Sequence, residues 1–474
     1  MAGISFGTDG WRSIMAEDFT FSNLRAVVQA IAGYLLDEGQ ASRGVVVGYD
    51  RRFLSEHFAA ASAEVLAGNG IPVLLTAEAT PTPVTAFAVK QHETAGAVML
   101  TASHNPPEYN GIKFIPHYAG PALPETTKAI EAGLHRVLQN GRVRRLNMGE
   151  AEAQGLVKRI NPAGAYLDHL RQVVDMAAIR RAGLKVVVDP MFGAGSGYLE
   201  TLLGEAGCQV EAIHHQRDPL FGGRLPEPNE ANLPELVGRV RESGAHLGLA
   251  LDGDADRFGI VDAGGVYLTA NQVLVLALYH LLHRRGWQGR VVARTVATTH
   301  MLDRIAEEYG MDVQETAVGF KYIGQSLREK DTVLGGEESG GMSIRGHLPE
   351  KDGILAAALM AEAVAVAGTT LAGVMVEIAG RFGTLVSKRL DLHVSPEDKQ
   401  RVLNYLAEYR PVKVAGVPVL ERINVDGTKV VMADGSWALV RPSGTEPLFR
   451  LYAEAKDHAR LALIQQDLRQ DLGI

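Results

Sequence analysis

LKVVVDPMFGAGSGYLETLLGEAGCQVEAI (184–213) reads as a β-branched run, a short glycine-rich loop, an amphipathic helix over 198–206, a glycine and a second apolar strand. A valine run suits a buried extended segment, and Gly207 supplies the left-handed residue that stops a helix before the next strand. The same order recurs twice more. GVVVGYD (44–50) leads to a helix over 58–67 and then GIPVLL (70–75), and GRVVARTV (289–296) leads to a helix over 300–309 and then GMDVQET (310–316). Repeated strand-helix-strand units predict three related α/β domains with mixed or parallel sheets.

Each unit then supplies a further apolar strand that ends in a polar or glycine-rich loop: GAVML-TASHNP (96–106), HLGLAL-DGDADR (246–257) and TVL-GGEESGG (332–341). Ligands collect at the carboxyl ends of strands in open α/β sheets, so three equivalent junctions predict one composite cleft. After residue 368 the pattern changes to a strand over 386–394, a helix over 396–409 and paired strands over 429–439 about the Ala433-Asp434-Gly435 turn, which is α+β. The fold class expected is therefore α/β, with three related mixed-sheet domains (1–151, 152–266 and 267–378) and a smaller C-terminal α+β domain (379–474) around a central cleft. A linker is expected near 371–384.

The chain has 474 residues, which at roughly 150 residues each gives about three units. Hydrophobic residues at 46% and charged residues at 22% give an ordinary globular composition. Forty-seven Lys and Arg against 55 Asp and Glu leave −8 with no block of either sign, which argues against nucleic acid or anionic lipid as partner. The single cysteine, Cys208, allows no intrachain disulfide, and residues 1–12 lack a secretory pattern, so a cytoplasmic location is expected. The most apolar stretches, 273–282 and 354–368, carry His280 and Glu362 and fall short of the ~20 residues that span a bilayer.

Chemistry concentrates in the strand-end loops. Ser103 follows a buried strand and precedes His104 and the turn-forming Asn105-Pro106, a setting for an exposed nucleophilic hydroxyl or for a turn-capping serine. Lys113 could bring a cation toward charge at Ser103. In DGDADR, period two turns Asp252, Asp254 and Asp256 to one side of an extended loop, where they suit a hard cation, magnesium best. An EF-hand is excluded because Ala263 stands where its bidentate Glu belongs. Arg257 offsets part of the repulsion or reaches a phosphate. GGEESGG offers carboxylates and a hydroxyl suited to vicinal sugar hydroxyls, and His347 with 351–353 could form a titratable pair facing the cleft. RPSGTEP (441–447) with Arg450 combines guanidinium groups, hydroxyls and a glycine amide, the inventory for a phosphate monoester. GAGSG (193–197) lacks the G-x-G-x-x-G spacing, and a tight β-to-α turn accounts for it.

These loops in this order, opening on FGTDGWR (6–12) and including NGIKF (110–114) and GFKYIG (319–324), closely resemble the α-D-phosphohexomutase family over almost the whole chain. The family includes phosphoglucomutases and phosphomannomutases. The resemblance implies a heart-shaped, four-domain enzyme with a central active site. Ser103 would be the phosphoserine, and Asp252, Asp254 and Asp256 would hold magnesium with an oxygen of that group. Glu337 and Ser339 would grip hexose hydroxyls, while Arg441, Ser443, Gly444, Thr445 and Arg450 would bind the non-reacting phosphate. Arg12, His104, Lys113, Arg257 and Lys321 also match family active-site positions, and Ser13 departs from the glycine that many relatives carry there. The reaction implied is interconversion of glucose 1-phosphate and glucose 6-phosphate through a glucose 1,6-bisphosphate intermediate. Mannose or glucosamine phosphates are alternative substrates, with His347 and Lys113 as candidate bases. A metal-dependent sugar phosphatase and a silent sugar-phosphate binder are the readings from other classes.

Overall fold

The computed structural model describes residues 4–7, 9–443 and 448–473. Its sheets repeat one topology three times. In the first, Val45–Tyr49 lies between parallel partners Val73–Thr76 and Gly96–Leu100, and Gly96–Leu100 turns back antiparallel into Tyr109–Pro116. In the second, Lys185–Asp189 lies between Gln209–Ala212 and Leu247–Leu251, which turns back into Phe258–Asp262. In the third, Val291–Thr295 lies between Asp312–Thr316 and Thr332–Glu337, which turns back into Gly341–Ile344. The expected α/β repeat is therefore present, and the three loops of interest are the equivalent hairpin connections. The fourth sheet is six-stranded and antiparallel, backed by the helices Pro396–Glu408 and His458–Leu472, which makes that domain α+β.

Three expected boundaries need correction. Val157–Ile160 pairs parallel with Val73–Thr76, so the first sheet runs past 151. Val266–Leu268 is the edge strand of the second sheet, which extends past 266. Residues 371–384 are not a linker: Leu371–Phe382 is a helix capped by the Thr370 hydroxyl, and it buries Leu371, Val374 and Ile378 in the core, so the third domain reaches 382. The third junction also differs, since Gly335, Gly336 and Glu337 still belong to the strand.

The cores show how the domains are joined. The first domain has its own core, while the second and third share one continuous cluster. Its centrepiece is Gly353–Ala367, a helix buried on all sides from Gly353 to Val364 and packed against strands and helices of both domains. This explains the apolar stretch at 354–368. Its one carboxylate, Glu362, is ion-paired in the core with Arg285 and lies 2.8 Å from His280 Nε2. No single helix among the described residues is long and apolar enough to cross a membrane.

Candidate functional site

The Ser103 hairpin and the aspartate hairpin meet face to face. Ser103 is 1% exposed, adopts a left-handed φ of 50°, and places Oγ 2.9 Å from Asp252 Oδ2. The backbones are so close that a Cβ on Gly253 would lie 2.6 Å from the Ser103 carbonyl oxygen, which fixes glycine at that position. Neighbouring loops close the ring: the Thr82 amide donates to the Asp254 carbonyl at 2.9 Å and the Gly353 amide to the Ala255 carbonyl at 3.1 Å.

Asp252, Asp254 and Asp256 are all buried, with one oxygen from each lying within 4.8 Å of the others. Burial and the neighbouring carboxylates push Asp252 well above the usual carboxylate range. Asp254 Oδ1 and Asp256 Oδ1 are buried and accept no hydrogen bond among the described residues. A buried, partly unsatisfied three-carboxylate cluster is the donor set a hard divalent cation requires, so these residues fit a metal ion. Lys113 supplies part of the compensating charge. Its Nζ lies 2.9 Å from Asp254 and from Asp256 and 3.0 Å from Asp9. Burial alone would lower it, but these three carboxylates outweigh burial and hold the ammonium well above its ordinary value.

Sequence reasoning left several partners unassigned. Lys351 reaches Asp9 at 3.0 Å and Asp256 at 3.2 Å, making Asp9 a bridge between two lysines. Thr82 donates to Asp254 at 2.5 Å, and burial pushes the adjacent Glu350 carboxyl up to about 8. Asp9 lies inside the quoted FGTDGWR motif, which was the available signal; Thr82 and Glu350 had none.

Around this centre, Arg12 donates to Asn105 of the serine loop at 2.9 Å. His104 Nδ1 lies 3.3 Å from Ser103 Oγ, and Arg257, then burial, hold its imidazole well below the usual histidine value, so it is neutral near pH 7. Glu337 ends its strand buried and accepts from Ser339 Oγ at 2.8 Å. A Cβ placed on Gly340 would lie 3.5 Å from the Phe258 carbonyl oxygen and 3.8 Å from Arg257 Cβ, which sets GEESGG beside Arg257. Lys321 lies in the first turn of Phe320–Glu329, and burial lowers its ammonium.

His347 is placed differently from its expected role. Its side chain is fully buried, pairs with Asp352 at 2.8 Å and His169 at 3.0 Å, and stacks on the His169 ring. Tyr166 completes this cluster at 2.6 Å from Asp352. Those contacts make His347 a packing group between domains, closed off from solvent.

In the fourth domain, antiparallel register sets Arg441 directly opposite Arg450. Like charges opposite each other are destabilising unless an anion accompanies them. Arg441 Nε contacts Asp426 at 2.9 Å, and the same carboxylate accepts the Val318 amide at 3.1 Å, tying this strand pair to the loop before Lys321. Ser443 is buried. Gly444 and Thr445 lie outside the described residues.

Comparison with known proteins agrees along the whole length. The chain matches phosphoglucomutase/phosphomannomutase alpha/beta/alpha domains I, II and III over residues 3–140, 164–265 and 269–382, and the C-terminal domain over 397–470. It is 34% identical over 460 residues to a phosphoglucomutase/phosphomannomutase of Thermococcus kodakarensis, covering 97% of this chain and 96% of that one. It is 31% identical over 505 residues to a phosphoglucomutase of Komagataeibacter xylinus, covering 99% and 91%. The crystal structure of a Thermus thermophilus protein, provisionally named a phosphomannomutase, superposes with a TM-score of 0.86 at 36% identity over 100% of both chains. The chain thus belongs to the phosphoglucomutase/phosphomannomutase family, the α-D-phosphohexomutases, enzymes that catalyse intramolecular phosphate transfer.

Proposed function

We propose that this enzyme interconverts glucose 1-phosphate and glucose 6-phosphate, with Ser103 as the phosphoryl carrier. The observation that carries this reading is the 2.9 Å approach of Ser103 Oγ to the buried three-aspartate cluster, on a serine held in a left-handed conformation. A hydroxyl beside a cluster that wants a cation is the arrangement phosphoryl transfer needs, because the cost of that reaction lies in positioning and in charge on the phosphoryl oxygens.

Asp252, Asp254 and Asp256 would hold magnesium. The ion would supply neutralisation of charge on the transferring group. Lys113, Arg12 and Arg257 add fixed positive charge around Ser103 Oγ, where the buried setting strengthens each interaction. Glu337 and Ser339, already hydrogen-bonded to one another, present acceptor and donor to adjacent sugar hydroxyls. Arg441 and Arg450 grip the phosphate that is not reacting, with Ser443 and, by the family motif, Gly444 and Thr445 beside them.

Phospho-Ser103 gives its group to a hexose monophosphate. The resulting glucose 1,6-bisphosphate turns over in the cleft, and the other phosphate returns to Ser103. One anion clamp and one hydroxyl grip serve both orientations, which favours a mutase over a one-way phosphatase. Glucose is the preferred sugar because GEESGG resembles the loop of glucose-specific members.

Four measurements test this. Peptide mass after incubation with glucose 1,6-bisphosphate should find one phosphate on Ser103, and Ser103→Ala should lower kcat by at least about 10³-fold. Turnover of glucose 1-phosphate should exceed that of mannose 1-phosphate and glucosamine 1-phosphate. A tenfold preference for either of the latter overturns the glucose assignment, and stoichiometric release of inorganic phosphate overturns the mutase reading.

A further inference from the structure

Arg52, just beyond the strand Val45–Tyr49, has a fully buried side chain whose guanidinium serves a single loop. Nη2 donates to the Ser103 carbonyl at 2.7 Å and the Asn105 carbonyl at 2.6 Å, while Nη1 donates to the Pro106 carbonyl at 2.7 Å and the Tyr109 carbonyl at 3.0 Å. Nε faces Asp50 at 3.3 Å, and the Phe221 ring of the second domain lies 4.9 Å from the guanidinium carbon.

Asp50 extends the support to the other side of Ser103. It accepts from Thr101 Oγ1 at 2.6 Å and Ser55 Oγ at 2.8 Å, and Thr101 Oγ1 in turn accepts the Ser103 amide at 2.8 Å. Arg52 therefore fixes the carbonyl of Ser103 and Thr101 fixes its amide. Between them sits a φ of 50°, a region that residues with a side chain avoid unless their surroundings impose it. Only a planar fork can serve four carbonyls at once, and an ammonium has three tetrahedral donors.

We propose that Arg52, acting with Asp50 and Thr101, is a positioning residue for phosphoryl transfer. It holds Ser103 in the left-handed conformation that aims Oγ at Asp252, and touches no substrate. This inference rests on Ser103 being the phosphoryl carrier.

The test uses Arg52→Lys and Thr101→Val in the full chain, assayed with glucose 1-phosphate well below their unfolding temperatures. Misplacing a reacting group by about 1 Å can cost about 100-fold, so kcat should fall about that much in Arg52→Lys and about tenfold in Thr101→Val, with KM within about threefold of wild type. Hydrogen exchange should quicken at the amides of Ser103, His104, Asn105, Glu108 and Tyr109 and stay unchanged elsewhere. Because both groups act on one conformation, the double variant should lose less than the product of the single losses.

A kcat within about threefold of wild type in both variants, or a raised KM at unchanged kcat, overturns the proposal. If Arg52→Lys fails to fold, Thr101→Val decides by the same criteria. Ser103→Ala is run beside them: if it keeps turnover, the carrier reading falls and takes this inference with it. If it is inactive while Arg52→Lys and Thr101→Val keep normal kcat, the inference alone falls.

Discussion

Between the second and third domains, the helix Gly353–Ala367 sinks into a core common to both sheets. Between the third and fourth, the apolar contact among the described residues is a small cluster of Val296, Ala297, Trp437, Leu439 and Tyr452, with Val318 and Val431 packed against it. Polar tethers surround that cluster: Lys429 to Glu315 at 2.6 Å, Lys429 to His300 at 2.9 Å and Asn271 to Ser387 at 2.8 Å. One junction is a weld and the other a docked surface. The aspartate cluster and Glu337 sit on welded domains, whereas Arg441 and Arg450 ride on the docked one. Transfer tolerates little error in position, and an anion clamp must let its ligand turn and leave.

The sharpest way to break this contrast is at the welded side of the site. Asp254→Asn should lower kcat by about 10²- to 10³-fold, and calorimetric titration should show weakened magnesium binding. An unchanged kcat would remove the aspartates from the reaction. Next in size is the weld itself. Leu359→Ala in the buried helix should cost about 2–5 kcal/mol in urea unfolding, with probes in the second and third domains losing structure in a single shared transition. Two separated transitions would show that the shared core does not couple them.

The smallest effect belongs to the docked seam. Burial, aided by Arg294 and opposed by Glu315, brings the Lys429 ammonium down to about 8. Undocked, it would titrate near ~10.4, so between those values the undocked state binds more protons and rising pH favours docking; below about 8 both states are protonated and the dependence vanishes. Urea midpoints should therefore rise modestly more in wild type than in Lys429→Met between about pH 8 and about 10. Equal slopes in the two proteins would sink this reading of the seam.

The sequence disclosed most of this architecture because the strand-helix-strand repeat is carried by strong local signals, valine runs and helix-stopping glycines at Gly70, Gly207 and Gly310. The three hairpin loops followed from it. What escaped lies where local signal is weak. Val157–Ile160 is a short strand with exposed charges at Lys158 and Arg159, so nothing in its pattern separates it from a loop. Leu371–Phe382 carries Gly373 and Gly380, poor helix formers whose cost is met by tertiary burial. Among site residues, Ser103 and the aspartates sit in dense motifs, while Arg52 acts through backbone carbonyls fifty residues away, a contact that no spacing rule encodes. His347 went the other way: a histidine near a candidate loop reads as chemistry, and only its fully buried pairing with Asp352 reveals a packing role.

The buried helix Gly353–Ala367 also governs how the chain can be dissected. Severing it near 268 would strand Gly353–Ala367 on one fragment and its hydrophobic berth on the other, so each piece would be sticky and prone to aggregate when expressed alone. Among the described residues, a cut near 384 exposes the small Trp437 cluster and little else of the buried core beyond Leu385. The natural fragments of this enzyme are therefore a three-domain body and a C-terminal cap, which makes split-protein reassembly from those two pieces a practical route to controlling it.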